Sequence, residues 1–199
     1  MTASGHSVDP ASDPACSSRE AEVQNAGERE EAPLLPWRLA SLVLIGVLYG
    51  VDQFTKWVVV RSMVEGESIA VFGEWLRWTF YRNPGAAFSI GEDFTWVFTL
   101  LLAAVGVYAA VLLSRTRSVG WILALSGLLA GVLGNLTDRL LREPGFGLGH
   151  VVDFIHVRGF AIFNIADSCI CVSIGALVLL ILRGVPVIGT VPDSAQQEA

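Results

Sequence analysis

Cysteine and histidine are scarce in this 199-residue chain, and each shortage excludes a class of function. Three cysteines do not make a disulfide framework. Cys169 and Cys171 lie two residues apart in an apolar segment, where a helix would point them to different faces. Cys16 lies in a polar stretch. We therefore expect three free thiols without a catalytic role.

Catalytic patterns built on histidine or serine are also missing. The chain has three histidines, at His6, His150 and His156. They do not form the His-Glu-x-x-His pair of a zinc protease, and no Gly-x-Ser-x-Gly turn is present for a serine nucleophile. The alternating glycines of 145–149 lack the strand–helix context of a nucleotide loop. The sequence therefore predicts neither a metal site nor a cofactor.

Basic charge is too sparse to indicate a nucleic-acid surface. The formal net charge is −6, and residues 1–36 carry most of it, with seven acids against two bases. The remainder is close to neutral, so no nucleic-acid partner is expected. Residues 1–36 lack an apolar period and predict a disordered acidic tail. Without a basic start or an apolar core, this tail is not a signal peptide.

Long apolar segments are what the chain does contain. Apolar residues make up 53% of it, above the roughly 45–50% of a soluble domain. Four such stretches occur, at 37–60, 94–114, 119–140 and 160–183. Each is long enough to cross a hydrocarbon layer of roughly 30 Å. The sequence predicts a membrane α-helical protein with a four-transmembrane-helix bundle over 37–183, followed by a C-terminal tail over 184–199.

The loops between these stretches predict a small extracytoplasmic β-sheet. Residues 68–72 and 76–81 read as short strands, the second alternating and rich in aromatic residues. Residues 150–157 are a third candidate. We expect these strands to form a sheet that lies on the outer surface of the bundle.

Charge in the flanking loops gives the orientation. One side carries Arg38, Arg115, Arg117 and Arg183. The opposite side carries Arg61, Arg77, Arg82, Arg142 and Arg158, so counting alone does not decide. The tight turn 114–118 contains only basic charge, whereas the bases opposite lie among acids in longer loops. We therefore place both termini in the cytoplasm.

Polar residues inside the apolar segments indicate a functional site. The chain keeps four aspartates there or at the segment ends, Asp52, Asp138, Asp153 and Asp167. An ionised side chain at the bilayer centre costs roughly 2.5–3.5 kcal/mol on insertion scales. Alternating helix directions bring the late residues of helices one and three and the early residues of helix four to the same membrane face. The four aspartates should therefore meet near one interface.

Residue spacing groups these side chains further. Asn135 with Asp138, and Asn164 with Asp167, are three apart and share a helix face. Asp52 and Lys56 are four apart, acid first, which favours an ion pair. Two carboxylates in a partly dry pocket do not both ionise cheaply, so one keeps its proton. Such a pair supplies the general base and general acid of aspartic peptide hydrolysis.

Five sequence blocks with polar residues occur in order along the chain. They are Asp52-Gln53-Phe54-Thr55-Lys56, Arg82-Asn83-Pro84-Gly85-Ala86-Ala87-Phe88-Ser89, Gly134-Asn135-Leu136-Thr137-Asp138-Arg139, Val151-Val152-Asp153-Phe154 and Phe163-Asn164-Ile165-Ala166-Asp167-Ser168. Together they resemble lipoprotein signal peptidase, the signal peptidase II family of bacterial inner-membrane aspartic proteases. The resemblance covers residues 37–183.

The resemblance implies a role for each site residue. Asp153 and Asp167 would be the catalytic dyad. The substrate-binding residues would be Asn83, Gly85, Asn135, Arg139 and Asn164, with Gly85 shaping the backbone. The supporting residues would be Asp52, Lys56 and Asp138. For Asp138 and Arg139, direct substrate contact and a local salt bridge that seals helix three remain alternatives.

The resemblance also implies a substrate and a location. The family removes signal peptides from prolipoproteins, cutting just before a diacylglyceryl-modified cysteine. We expect a multi-pass, monomeric enzyme of the bacterial inner membrane, in contact with membrane lipids, with its active site near the extracytoplasmic face.

Two functions of other classes also use aspartates in a membrane. A transporter or proton conductor needs polar positions at several depths, whereas here they occur at one end. A noncatalytic lipid-binding scaffold has little use for two aspartates aimed at one pocket. The sequence favours the peptidase.

Overall fold

A computed structural model of the protein describes residues 34–85 and 95–188. Residues 1–33 of the predicted acidic tail and residues 189–199 of the predicted C-terminal tail lie outside these residues, whereas the end of the predicted acidic tail, from Leu35, belongs to the first helix. The helices are α1 (Leu35–Ser62), α2 (Thr95–Arg115), α3 (Val119–Leu141) and α4 (Ile165–Leu182). The strands are β1 (Ser68–Phe72), β2 (Leu76–Asn83), β3 (Val151–Val157) and β4 (Ile162–Phe163).

Within the described residues, four helices are long and apolar enough to cross a membrane, which confirms the predicted class. They contain 28, 21, 23 and 18 residues in chain order. Large apolar side chains are exposed on α1, α2 and α4, among them Leu42, Leu100, Val107 and Ile181. Such side chains on outward faces suit bilayer hydrocarbon, because no water is present there to penalise them.

Helix α3 is the centre of the bundle and packs against the other three helices. Buried residues occur along its whole length. Glycines allow this close packing. A Cβ atom at Gly131 would lie 2.4 Å from the carbonyl oxygen of Ala166, and one at Gly134 would lie 2.6 Å from Asp52 Oδ2. The backbones of α3 and α4 therefore approach each other closely at the level of the buried aspartates.

The strands form one antiparallel sheet in the order β1-β2-β3-β4. The predicted strand 68–72 is confirmed, the second strand runs two residues further than predicted, and the third begins at Val151. Val59 at the end of α1 packs with Phe80, Val152 and Phe154 of the sheet. This small apolar cluster fixes the sheet to the end of the bundle.

The fourth helix begins later than the sequence predicted, at Ile165 and not at residue 160. Ile162 and Phe163 instead form β4, which pairs with His156 and Ile155 of β3. Asn164 then caps the helix, since its side chain accepts a hydrogen bond from the backbone N–H of Asp167. The apolar character of 160–164 suits a strand and a helix equally, so hydropathy alone did not separate them.

The two ends of the bundle differ in charge. Every Asp and Glu within 34–85 and 95–188 lies in the half that carries the sheet. At the other end, Arg38 donates hydrogen bonds to the carbonyl oxygens of Leu113, Ser114 and Thr116, which closes the turn after α2. The acidic side chains are therefore gathered at one end, as the alternating helix directions predicted.

Candidate active site

Asp153 lies in the middle of β3 and is only 1% exposed. Both oxygens of its carboxyl group accept hydrogen bonds from amide side chains. Asn164 Nδ2 donates to Oδ1 at 2.6 Å, and Asn83 Nδ2 donates to Oδ2 at 2.9 Å. Asn83 comes from the end of the neighbouring strand β2, and Asn164 from the junction of β4 and α4. Two segments other than β3 itself therefore hold this carboxyl group.

Asp167 lies in the first turn of α4, where unpaired backbone N–H groups favour a negative charge. Asn135 Nδ2, from α3, donates to Oδ1 at 2.7 Å. The backbone N–H of Asn164 donates to Oδ2 at 3.2 Å. Asp167 is thus held like Asp153, with one N–H donor on each oxygen.

Both aspartates line one cavity of about 570 Å³. Its polar lining also includes Asn83, Gly85, Asn135 and Arg139. Most of the lining is apolar and comes from α2, α4 and the 160–163 segment, including Phe98, Leu101, Leu102, Phe160, Phe163 and Val172. The cavity therefore joins a small polar floor to apolar walls that lie on membrane-spanning helices.

Burial is the largest influence on Asp153. It raises the pKa of this carboxyl group, and the negative charge of Asp167 raises it further, to about 7. Hydrogen bonds from Asn83 and Asn164 oppose the change in pKa without cancelling it. Asp153 is therefore able to hold a proton near neutral pH, which a general acid requires.

Among the described residues, Arg139 hydrogen-bonds to backbone carbonyl groups and not to a carboxylate. Its guanidinium donates to the carbonyl oxygens of Asn83, Pro84, Gly85 and Gly149. Among the described residues, Arg139 Nε is the one buried side-chain nitrogen or oxygen without a hydrogen-bond partner. Arg139 thus fastens the 83–85 turn to α3, and through this turn it positions Asn83 against Asp153.

Lys56 is the centre of an ion cluster beside the site. Its Nζ lies 2.9 Å from Asp52 Oδ2, 2.9 Å from Asp138 Oδ2 and 2.9 Å from Asn135 Oδ1. The structure therefore contains the ion pair expected from the spacing of Asp52 and Lys56. Asp52 Oδ1 also accepts from the backbone N–H of Ala166 at 2.9 Å, which ties α1 to the start of α4.

Asp138 and Arg139 do not pair with each other in the part of the chain that the structure describes. Asp138 binds Lys56 and, through Oδ1, Arg142 Nε at 2.6 Å. It also accepts from the backbone N–H of Val152 at 3.2 Å, which ties α3 to β3. Of the two alternatives for this pair, the local salt bridge between the neighbours does not form, because adjacent helix positions point about 100° apart.

Some residues beside the cavity were missed by reasoning from the sequence. Arg142 lies four residues after Asp138, a spacing that could have identified it as an ion-pair partner. Gln53 Nε2 donates to Asp52 Oδ2 at 3.1 Å and to the carbonyl oxygen of Gly134 at 3.0 Å. The apolar wall residues gave no signal, because they lie in segments that are apolar throughout.

The predicted substrate-binding residues do not all line the cavity. Asn83, Asn135, Arg139 and Gly85 line the cavity. Asn164 is fully buried and bonds to Asn135 at 3.2 Å as well as to both aspartates. Its contacts are those of a residue that holds the carboxyl groups in place.

The structure combines four membrane-length helices, a sheet at one end, and a cavity lined by two aspartates that accept hydrogen bonds from amide groups. These features define a class, the multi-pass membrane hydrolases of the aspartic type. The comparisons with known proteins agree. Residues 44–183 match the family described as signal peptidase (SPase) II. The chain belongs to this family of aspartic peptidases, which remove signal peptides from prolipoproteins.

Named relatives support this assignment. The chain is 48% identical to the lipoprotein signal peptidase of Leifsonia xyli subsp. xyli over 154 residues, covering 74% of this chain and 70% of that protein. It is 38% identical to the lipoprotein signal peptidase of Mycobacterium tuberculosis (strain H37Rv), covering 87% and 83%.

Solved structures are similar as well. A bacterial membrane enzyme determined by the in meso method at 2.3 Å resolution matches with a TM-score of 0.66 and 27% identity. That match covers 80% of this chain and 94% of the other. A second such enzyme, at 1.9 Å resolution, matches with a TM-score of 0.63 and 29% identity. The four-helix fold with its small sheet is thus shared with known membrane enzymes.

Proposed function

We propose that Asp153 and Asp167 are the catalytic pair that hydrolyses the signal-peptide bond. The observation that carries this proposal is that both carboxyl groups line one cavity, each with an N–H donor on both of its oxygens. Donors fixed in this way cost no reorganisation when charge moves during the reaction. The ionised aspartate takes a proton from water, and the protonated one gives its proton to the leaving amine.

The amide donors leave room for this chemistry. An ionised carboxylate has about four lone-pair sites, and the amides occupy one on each oxygen. The remaining lone-pair sites of the ionised carboxylate are available to a water molecule, and the O–H of the protonated carboxyl group is available to the peptide carbonyl. The protein therefore sets the direction of each carboxyl group without blocking it.

The cavity walls favour a lipid-modified substrate. We propose that cleavage occurs just before a diacylglyceryl-modified cysteine, because the apolar walls on α2 and α4 adjoin the two aspartates. Each buried CH₂ of an acyl chain contributes about 0.8 kcal/mol. The lipid would then hold the scissile bond at the depth of the aspartates.

A lipidated precursor should be cleaved far faster than its unlipidated counterpart. We expect kcat/KM to differ by at least about 100-fold, since even a few buried CH₂ groups supply that factor. The measurement is cleavage of two precursors of identical sequence by purified protein in lipid. Equal rates for the free-thiol and diacylglyceryl precursors would show that the apolar walls do not recognise the lipid.

Activity should fall as pH rises above about 7. The pKa of Asp153 is raised to about 7, so the pair holds one proton at lower pH and loses it at higher pH. The same pKa change makes the free energy of unfolding depend on pH. The contribution of this carboxyl group is fully present below 3.8, its pKa in the unfolded chain, and is lost as pH rises through about 7. The check is a profile of log kcat/KM between pH 5 and 9, roughly the range in which such groups titrate; a profile without an alkaline limb would contradict it.

We further propose that both termini lie in the cytoplasm and that the site lies at the extracytoplasmic face. The support is charge: the sheet-bearing end holds the described acids, and the opposite end carries Arg38, Arg115, Arg117 and Arg183. We also propose a monomer, since both aspartates and their amide donors come from one chain. Membrane lipids would contact the exposed apolar faces of α1, α2 and α4.

A further inference from the structure

Lys56 is the chain's one lysine, since the other 12 of its 13 basic residues are arginines. It is also fully buried, at 0% exposure. A buried lysine is costly unless its charge is compensated. Compensation by Asp52 and Asp138 accounts for the charge of Lys56, but not for its third contact, the 2.9 Å bond to Asn135 Oδ1.

The bond to Asn135 has a chemical consequence, because an ammonium group only donates hydrogen bonds. The atom of Asn135 that faces Lys56 must therefore be its oxygen. The NH₂ group of the same amide then faces the opposite way, where it donates to Asp167 Oδ1 at 2.7 Å. A rotation of the amide by 180° would place its oxygen against the Asp167 carboxylate. Its single NH₂ group would then face the donors of Lys56 and Asn164.

We propose that Lys56 is a positioning residue for the hydrolysis: it fixes the Asn135 amide so that an N–H always faces Asp167. The inference deepens the proposed function, because it rests on Asp167 being one of the catalytic pair. Among the described residues, the polar contacts of Lys56 are with Asp52, Asp138 and Asn135, so its one contact with a residue that binds the catalytic pair is Asn135. Its positive charge also opposes the raised pKa of Asp153 from a distance. We therefore expect most, and not all, of its effect on kcat to disappear when Asn135 is removed.

The two carboxylates that contact Lys56 have other hydrogen-bond donors, so they depend less on Lys56 than Asn135 does. If Lys56 is removed, Asp52 still accepts hydrogen bonds from the backbone N–H of Ala166 and from the side-chain amide of Gln53. Asp138 still binds Arg142 and accepts from the backbone N–H of Val152. These two carboxylates thus retain partners without Lys56.

Asn135 Oδ1 has a weaker substitute. Its other donor is Asn164 Nδ2 at 3.2 Å, and this NH₂ group also donates to Asp153 at the shorter distance of 2.6 Å. Without Lys56, the orientation of the amide would depend on this shared donor and on the bond to Asp167 itself.

A double-mutant cycle tests the inference. The variants are Lys56→Met, Asn135→Ala and both together, measured for kcat, KM and thermal unfolding with a lipidated precursor. We expect Lys56→Met to lower kcat by about 10–100-fold with KM changed by less than about twofold. The double variant should have a kcat within about twofold of Asn135→Ala alone, because the two residues act in series.

The matched control is Arg142→Met. It removes a cation from the same carboxylate, Asp138, without touching Asn135. We expect it to lower the unfolding temperature while kcat changes by less than about twofold. If Lys56→Met does not fold, the double substitution Asp52→Asn/Lys56→Met replaces it in the cycle. This change removes both members of a buried ion pair, which is tolerated better than removing one of them.

Two outcomes would overturn the inference: a wild-type kcat in folded Lys56→Met, or effects on kcat that multiply in the double variant. Either would leave Lys56 as an ion-pair partner only. The proposed function fails on a different result, a wild-type rate for Asp167→Asn. An inactive Asp167→Asn together with a multiplicative cycle would remove the positioning role and leave the catalytic pair intact.

Discussion

Replacing either Asp153 or Asp167 by asparagine is expected to lower kcat on a lipidated precursor by about 10⁴-fold or more. The change keeps the side-chain volume but removes the group that exchanges protons. Neither partner compensates, because one carboxyl group does not act as acid and base on the two sides of the same bond. The substrate should still bind, since the apolar walls are untouched, so KM should change little.

Folding must be shown to survive in these variants. Each substitution removes a buried carboxyl group and turns one amide contact into a donor–donor contact, a cost of about 1–3 kcal/mol that removal of a buried charge partly offsets. The matched control is Glu65→Gln, which loses a half-exposed carboxylate that lies 3.4 Å from Arg82. We expect wild-type cleavage from that control. Normal turnover by Asp153→Asn or Asp167→Asn would exclude that residue from the catalytic pair.

The second large effect is expected from one added methyl group, in Gly134→Ala. A Cβ atom there would lie 2.6 Å from Asp52 Oδ2 and 3.1 Å from the Cβ of Ala166. Asp52 holds both Lys56 and the first turn of α4, so displacing it shifts the segment that carries Asp167. Overpacking of this kind costs about 1–3 kcal/mol, and a misplacement of about 1 Å lowers a rate by about 100-fold.

Helix α1 supplies the control for this prediction. Gly50 has no atom within 4 Å of an added Cβ. Gly50→Ala should therefore leave both the unfolding temperature and kcat unchanged, whereas Gly134→Ala should lower both. The measurements are thermal unfolding in detergent and single-turnover cleavage. Equal behaviour of the two variants would show that the contact between α3 and Asp52 does not position α4.

Much of the fold could be predicted because its signals are local. Apolar runs of membrane length identify the helices, and alternating aromatic residues identify β2. The start of α4 could not be placed, because the pairing of Ile162 and Phe163 with β3 is a long-range interaction. The direction of each helix was enough to bring Asp52, Asp138 and Asp167 to one end.

The contacts of the individual polar residues were less predictable. Asn164 was expected to contact substrate, yet its amide and backbone hold both aspartates. Arg139 was expected to contact substrate or to pair with Asp138. In the structure it lines the cavity and donates to carbonyl oxygens of the 83–85 turn and Gly149, while its contact with substrate stays a prediction. Spacing along a helix shows which face a residue shares, but not which distant loop packs against that face. These assignments needed the tertiary structure.

The most direct measurement is an experimental structure of Asp167→Asn with an intact lipidated precursor bound. This variant should bind the substrate without cleaving it. We expect the peptide bond before the modified cysteine to lie between Asp153 and residue 167, with the acyl chains against the walls formed by α2 and α4. A precursor whose scissile carbonyl lies outside this cavity, or beside only one of the two positions, would contradict it.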